Sequence, residues 1–198
     1  MTLFRRDLTS ELPARMLAWW RRPSASRERA WAVALEEHEQ VLTEYMARLR
    51  SVPMGRWYEP VAEGKWSPAE EALHLVLAYE IGLSGAIGGD GMRMVASPAW
   101  AWLSRSVVLP VMLHTQSFPR GAAAPREVRP ASRDARSLSK EALEVRLRQV
   151  ATDAAKALRT ADGRKPSPRL VHAYFGPLTP LTTLQLLSAH TRHHTRRR

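Results

Sequence analysis

The segment SAHTRHHTRRR (188–198) sets three histidines in five positions ahead of a run of arginine. Two imidazoles four residues apart on a helix lie about 40 degrees from one another, the spacing at which both rings can reach one ion. His190 and His194 form such a pair and share their face with Leu187. His193 falls roughly 100 degrees from its neighbour, toward the rim of the same helix. A third imidazole, His74, stands in WSPAEEALHL (66–75), on the face that also carries Leu77, Ala78 and Ile81. Helices packed through these faces would bring three rings together, and neutral imidazole suits zinc, nickel or iron. Glu70, one turn before His74, is a candidate carboxylate behind the ligands, orienting an imidazole. The same residue stands third after Ser67, where it would complete a helix-capping box. Spacing leaves both readings of Glu70 open, and it leaves a solvated His/Arg tail as open as a metal site. His38, in the run EEHE, reads as the wet face of its helix, and His114 and His172 as loop, surface or ordinary hydrogen-bonding residues.

The elements that must carry these residues are helical. From Ser26 to Arg50, Trp31, Leu35, Leu42, Tyr45, Met46 and Leu49 recur at three- and four-residue steps, which predicts a first amphipathic helix. Residues 53–65 are rich in proline and glycine and read as a loop. Ser67 followed by Pro68 and Glu70 opens a second helix that runs to about Leu83, where Gly85, Gly88, Gly89 and Gly91 crowd the chain. Residues 98–113 form a short additional helix flanked by prolines. The stretch 114–137, with three prolines and few periodic apolar residues, reads as a long crossover. A third long helix begins after Ser137 or Ser139 and carries Leu143, Leu147, Val150, Ala154 and Leu158 on one stripe until Asp162 and Gly163. Thr179 and Pro180 repeat the cap-then-proline start and open the last helix, which bears the histidines. With no strand signal and no internal repeat, the expected fold is all-α: an antiparallel four-helix bundle with a long crossover connection and short extra helical segments. Residues 1–25 read as an N-terminal extension with helix-forming character, and 26–198 as a single bundle domain.

Composition narrows the function classes. The 198 residues are 44% hydrophobic, enough for a real core. Without cysteine there is no disulfide framework, thiolate zinc site or cysteine nucleophile. The first residues carry five arginines and no uninterrupted apolar run, so no export signal is expected and the reading is cytoplasmic. The most apolar window, 95–114, is broken by Pro98, Arg105 and Pro110, which excludes a bilayer span and a membrane partner. Thirty Lys and Arg against 19 Asp and Glu give a net charge of +11, and only four of the cations are lysine. That excess motivates a second class of function, a non-catalytic metal-stabilised or nucleic-acid-associated binding module. Trp19, Trp20, Trp100 and Trp102 lie outside the four main helices, and this surplus aromatic surface leads to an expected homodimer.

Two stretches resemble a known family. WSPAEEALHL (66–75) is similar to the signature W-S-x-x-E-x-x-x-H-L of the DinB-like (YfiT-like) metal-binding four-helix-bundle family. HAYFGPLTPLTTLQLLSAHTRHHTRR (172–197) resembles that family's closing segment, in which H-P-x-F-G-x-L-T leads into a helix with H-x-x-x-H. FPRGAAAPREVRP (118–130) is similar to the long crossover of some members. The resemblance covers residue 26 to the end, with the motifs in the family's order. Ala173 stands where many members of this branch have proline, and the first 25 residues and the 95–113 stretch exceed a minimal bundle. What the resemblance implies is a divalent ion, zinc or nickel, held by His74, His190 and His194. It further implies a metal-dependent transferase of low-molecular-weight thiols, or a related hydrolase, acting on a small molecule.

Overall fold

The computed structural model describes residues 25–116, 118, 123–164, 166 and 168–196. The extension 1–24, with Trp19 and Trp20, lies outside the described residues. The fold is mostly helical, as the periodicity requires. Four long helices dominate: α1 (Ala25–Ser51), α3 (Pro68–Ala86), α7 (Lys140–Ala161) and α8 (Pro180–Arg196). Short pieces lie between them: α2 (Met54–Trp57), α4 (Pro98–Leu103), a π-helical turn Ser104–Val108, α5 (Leu109–Thr115), a 3-10 turn Arg126–Val128 and α6 (Ser132–Arg136). Among the described residues, no helix is long and apolar enough to cross a membrane.

The long helices pack in pairs, α3 against α7 and α1 against α8, with further contacts joining α8 to α7 and to α3. The core they enclose contains Leu42, Tyr45, Leu49, Leu75, Leu143, Leu147, Leu158 and Leu184, all essentially without solvent contact. Burying each such leucine is worth about 1.5–3 kcal/mol, which is why the amphipathic stripes settle the packing. Helix ends are fixed by specific partners. The Lys140 ammonium, buried at the start of α7, donates to Arg50 O (2.8 Å) and Val52 O (2.7 Å) and so satisfies the C-terminus of α1. Asp162, just past α7, accepts from Arg27 Nε (2.8 Å) and Trp31 Nε1 (2.6 Å) and ties the first turns of α1 to the end of α7.

Three features depart from the sequence reading. A two-stranded antiparallel hairpin, β1 (Leu170–His172) and β2 (Gly176–Leu178), precedes α8, with Val171 opposite Pro177. Its strands are too short for an alternation to register, and its turn needs Gly176 at φ 67°. The chain after α3 runs beside it: Met92 N donates to Val171 O (2.9 Å) and Val95 N to Ala173 O (3.0 Å). A side chain at Gly91 would meet Val171 O at 2.7 Å, so the glycines expected to stop α3 also permit this approach. The crossover, read as irregular, contains the 3-10 turn and α6. His38, expected on the wet face, is 3% exposed: it falls in step with Trp31, Ala34, Val41 and Tyr45 on the buried stripe of α1, and the glutamates around it face outward. Trp100 and Trp102 are 56% and 61% exposed, as surplus apolar surface requires.

Candidate metal centre

The start of α3 is set by its cap. Ser67 Oγ accepts from Glu70 N (3.3 Å) while Glu70 Oε2 accepts from Ser67 N (2.8 Å), a closed capping box followed by Pro68. Glu70 Oε1 accepts from the Ser132 hydroxyl of α6. Both oxygens of Glu70 therefore serve the helix start and its neighbour, and the capping reading accounts for them. His74 follows two turns later, buried, on the face turned to α8. The start of α8 is held by the Thr179 hydroxyl, which accepts from Thr182 N (3.2 Å). Contacts between the two helices run in opposite order along the chain: His74 against His190 and His194, Tyr79 Oη against Thr191 Oγ1 (3.0 Å), Gly82 beside Leu187. α3 and α8 are thus antiparallel, and this register delivers the three imidazoles to one point.

His74 Nε2 lies 3.0 Å from His190 Nε2, and His194 Nε2 lies 3.2 Å from the same atom. His74 and His194 are each 3% exposed and His190 is half-buried. The far nitrogen of His74, Nδ1, donates to Val128 O in the 3-10 turn (2.6 Å), which fixes the tautomer and leaves the Nε2 lone pair facing the cluster. Burial, reinforced by the rings of His194, His74, His193 and His172, holds His190 well below the usual imidazole range. Its ring is therefore held in the neutral form, with one ring nitrogen carrying a lone pair. A single proton on His190 Nε2 would have to serve two neighbouring nitrogens, whereas one cation answers all three lone pairs. Two imidazole nitrogens sharing an ion at bond lengths near 2.0–2.1 Å stand about 2.9 to 3.4 Å apart, depending on the coordination angle. The observed 3.0 and 3.2 Å fall inside that range. The residues present fit a divalent ion.

His193 is not one of the three convergent rings: it packs against Phe118 with centroids 5.1 Å apart and meets His194 edge-on at 5.4 Å. Two apolar rings flank the cluster: Trp66 at 4.7 Å from His74 and Phe118 at 5.4 Å from His190. His172, read from sequence as a loop, surface or ordinary hydrogen-bonding residue, stacks on Phe175 at 4.8 Å in the hairpin, and its Nδ1 accepts from Tyr174 N (3.2 Å). Burial pushes it down to about 4. The carboxylate that approaches the histidines is one the sequence reading missed. Glu71 Oε2 lies 3.1 Å from His194 Nδ1, a close electrostatic contact. Burial raises the Glu71 carboxyl, but His194 and Arg48 outweigh that effect and hold it below the usual carboxylate range. Helical projection puts Glu70 and Glu71 at about 40 and 60 degrees on opposite sides of His74, so only the packing of α8 decides which of them meets a ring.

The sequence profile of the DinB superfamily matches residues 34–196, most of the chain and all three histidines. The chain belongs to the DinB superfamily. Neither curated proteins nor solved structures supply a match. His74, His190 and His194 all lie inside the matched residues and are the three that the fold brings together. The cluster can hold a metal ion.

Proposed function

We propose that this DinB-superfamily protein is an antiparallel four-helix bundle that holds a divalent ion, zinc or nickel, through His74, His190 and His194. We further propose that it uses the ion to transfer a low-molecular-weight thiol to a small electrophile, or to hydrolyse a related small substrate. The observation that carries the reading is that His74 Nε2 and His194 Nε2 lie 3.0 and 3.2 Å from His190 Nε2, with the ligand atoms of all three within 4.8 Å of one another. Three neutral ligands leave a divalent ion charged and open, and an open ion lowers the pKa of a bound thiol or water. The chain's own residues supply the rest. Val128 O fixes the His74 tautomer, burial keeps His190 neutral, and Trp66 and Phe118 place apolar rings beside the cluster, where they limit water. The thiol preference rests on the family resemblance, and the hydrolase alternative uses the same open position for water.

The test is elemental analysis of untagged protein, followed by assay of the zinc- and nickel-loaded forms with small thiols and an alkylating electrophile. The expected outcome is about one ion per chain and thiol loss that stops on chelation and in His190→Ala. Amide hydrolysis without thiol transfer would move the assignment to the hydrolase. Neither activity, with the ion still bound, would leave a metal-stabilised module.

A further inference from the structure

We propose that Glu71 and Arg48 form a positioning pair that aims His194 at the ion, a role that rests on the metal reading above. The arrangement spans three helices. Arg48 Nη1 on α1 engages one oxygen of Glu71 on α3, and the other oxygen, Oε2, lies 3.1 Å from Nδ1 of His194 on α8. The side chains are 27%, 13% and 4% exposed in that order, so the chain of contacts runs inward from the surface to the cluster. A histidine that coordinates through Nε2 must keep a proton on Nδ1, and a partner for that proton fixes the ring and strengthens the ligand. His74 has such a partner in the Val128 carbonyl. The buried Nδ1 of His194 makes no hydrogen bond as placed, and Glu71 Oε2 is an acceptor within reach.

Arg48 explains why this carboxylate can stand there. A buried carboxylate without a cation is costly, and the guanidinium compensates Glu71 whether or not an ion is bound. Because Arg48 grips one oxygen, the other is held toward α8 before any metal arrives. The two ligands thus receive different support: a neutral carbonyl behind His74 and an anion behind His194. Glu70, one residue away, is spent on Ser67 and Ser132 and takes no part.

The experiment measures Zn2+ affinity by competition with a chromophoric chelator, and the visible absorption of the Co2+ form, in full-length wild type, Glu71→Gln, Arg48→Met, the double variant and Glu70→Gln. Circular dichroism of each apo protein reports folding. Glu71→Gln is expected to weaken zinc binding by about 10- to 100-fold and to shift the Co2+ bands. Arg48→Met is expected to weaken it less, and to add nothing in the Glu71→Gln background, because it acts through Glu71. Glu70→Gln should lower apo stability and leave zinc affinity and the Co2+ spectrum unchanged. Wild-type affinity in Glu71→Gln, or an equal loss in Glu70→Gln, would overturn the proposal while leaving the metal site intact. Should Glu71→Gln fail to fold, Arg48→Met decides: weakened zinc binding supports the pair, and unchanged affinity overturns it. A wild type that binds no zinc, cobalt or nickel at one ion per chain overturns both the site and the pair.

Discussion

His193 and His194 are neighbours in sequence, yet only one of them reaches the cluster. His194 is buried with its Nε2 3.2 Å from His190, while His193 turns its ring against Phe118. The difference follows from the helical step, which rotates adjacent side chains by about 100 degrees. Replacing His74, His190 or His194 by alanine is therefore expected to abolish one-to-one zinc binding in calorimetric titration, because two imidazoles are a poor remnant of a three-ligand site. His193→Ala should keep the ion within a few-fold of wild-type affinity. The opposite pattern, with metal lost in His193→Ala and kept in His190→Ala, would mean that the register of α8 is wrong. The ligand faces were legible in the sequence because histidine spacing and apolar spacing share one period. Glu71 was not legible, because projection puts it and Glu70 on either flank of His74, and only the packing of α8 decides which flank meets a ring.

The start of α3 illustrates how an element positions a ligand through contacts that never touch it. The Ser67 hydroxyl accepts from Glu70 N, and the Glu70 carboxylate returns a bond to Ser67 N. Ser67→Ala should cost about 1 kcal/mol. In a chain of this length that lowers Tm by roughly 2–4 °C. Zinc affinity should fall by no more than a few-fold, since six more helical residues hold His74 in place after the cap. Differential scanning calorimetry with a parallel zinc titration separates the two effects, and a large affinity loss at unchanged Tm would count against this division. The four long helices were readable because each keeps a stripe over several turns, and three of them begin at a cap residue, Ser67, Ser139 or Thr179. The hairpin before α8 was not, because strands of three residues leave no period to detect, and their pairing depends on Gly176 and on the chain at Gly91. The 3-10 turn that supplies Val128 O lies in a proline-rich stretch where local pattern says little. Its role arises from tertiary packing against α3.

The charge of the whole chain is large, but several arginines are already engaged with carboxylates on other elements. Arg27 pairs with Asp162, Arg146 with Glu80, Arg148 with Glu39, Arg159 with Glu28 and Arg192 with Glu37. A pair exposed on both sides, such as Arg148–Glu39, is worth about 0–1 kcal/mol, whereas Asp162 is buried; all five hold guanidinium groups on carboxylates instead of assembling a phosphate-binding face. Duplex DNA binding is accordingly expected at low salt and lost near physiological ionic strength in a gel-shift titration; tight binding there would favour the nucleic-acid module. Acid should act on the molecule through its buried imidazoles. His172 is pushed from 6.5 down to about 4 by burial, and His38 and His190 are lowered by the same cause first. Between these values the unfolded chain binds protons that the folded one refuses, so stability is full above about 6.5 and is lost as pH falls toward 4. The lowered carboxyls of Glu71 and Asp162 extend the loss to still lower pH. Zinc adds to this slope, because it binds the folded cluster and competes with protons for the same nitrogens. At a free concentration a hundredfold above Kd the ion should stabilise by about 2.7 kcal/mol. That corresponds to a Tm rise of roughly 5–10 °C at pH 7.5. Scanning calorimetry of apo and zinc-loaded protein from pH 7.5 to 5 should show both Tm values falling and the gap between them closing. A zinc increment that stays constant across that range would mean that the ion is not held by imidazoles, and would move the metal site away from His74, His190 and His194.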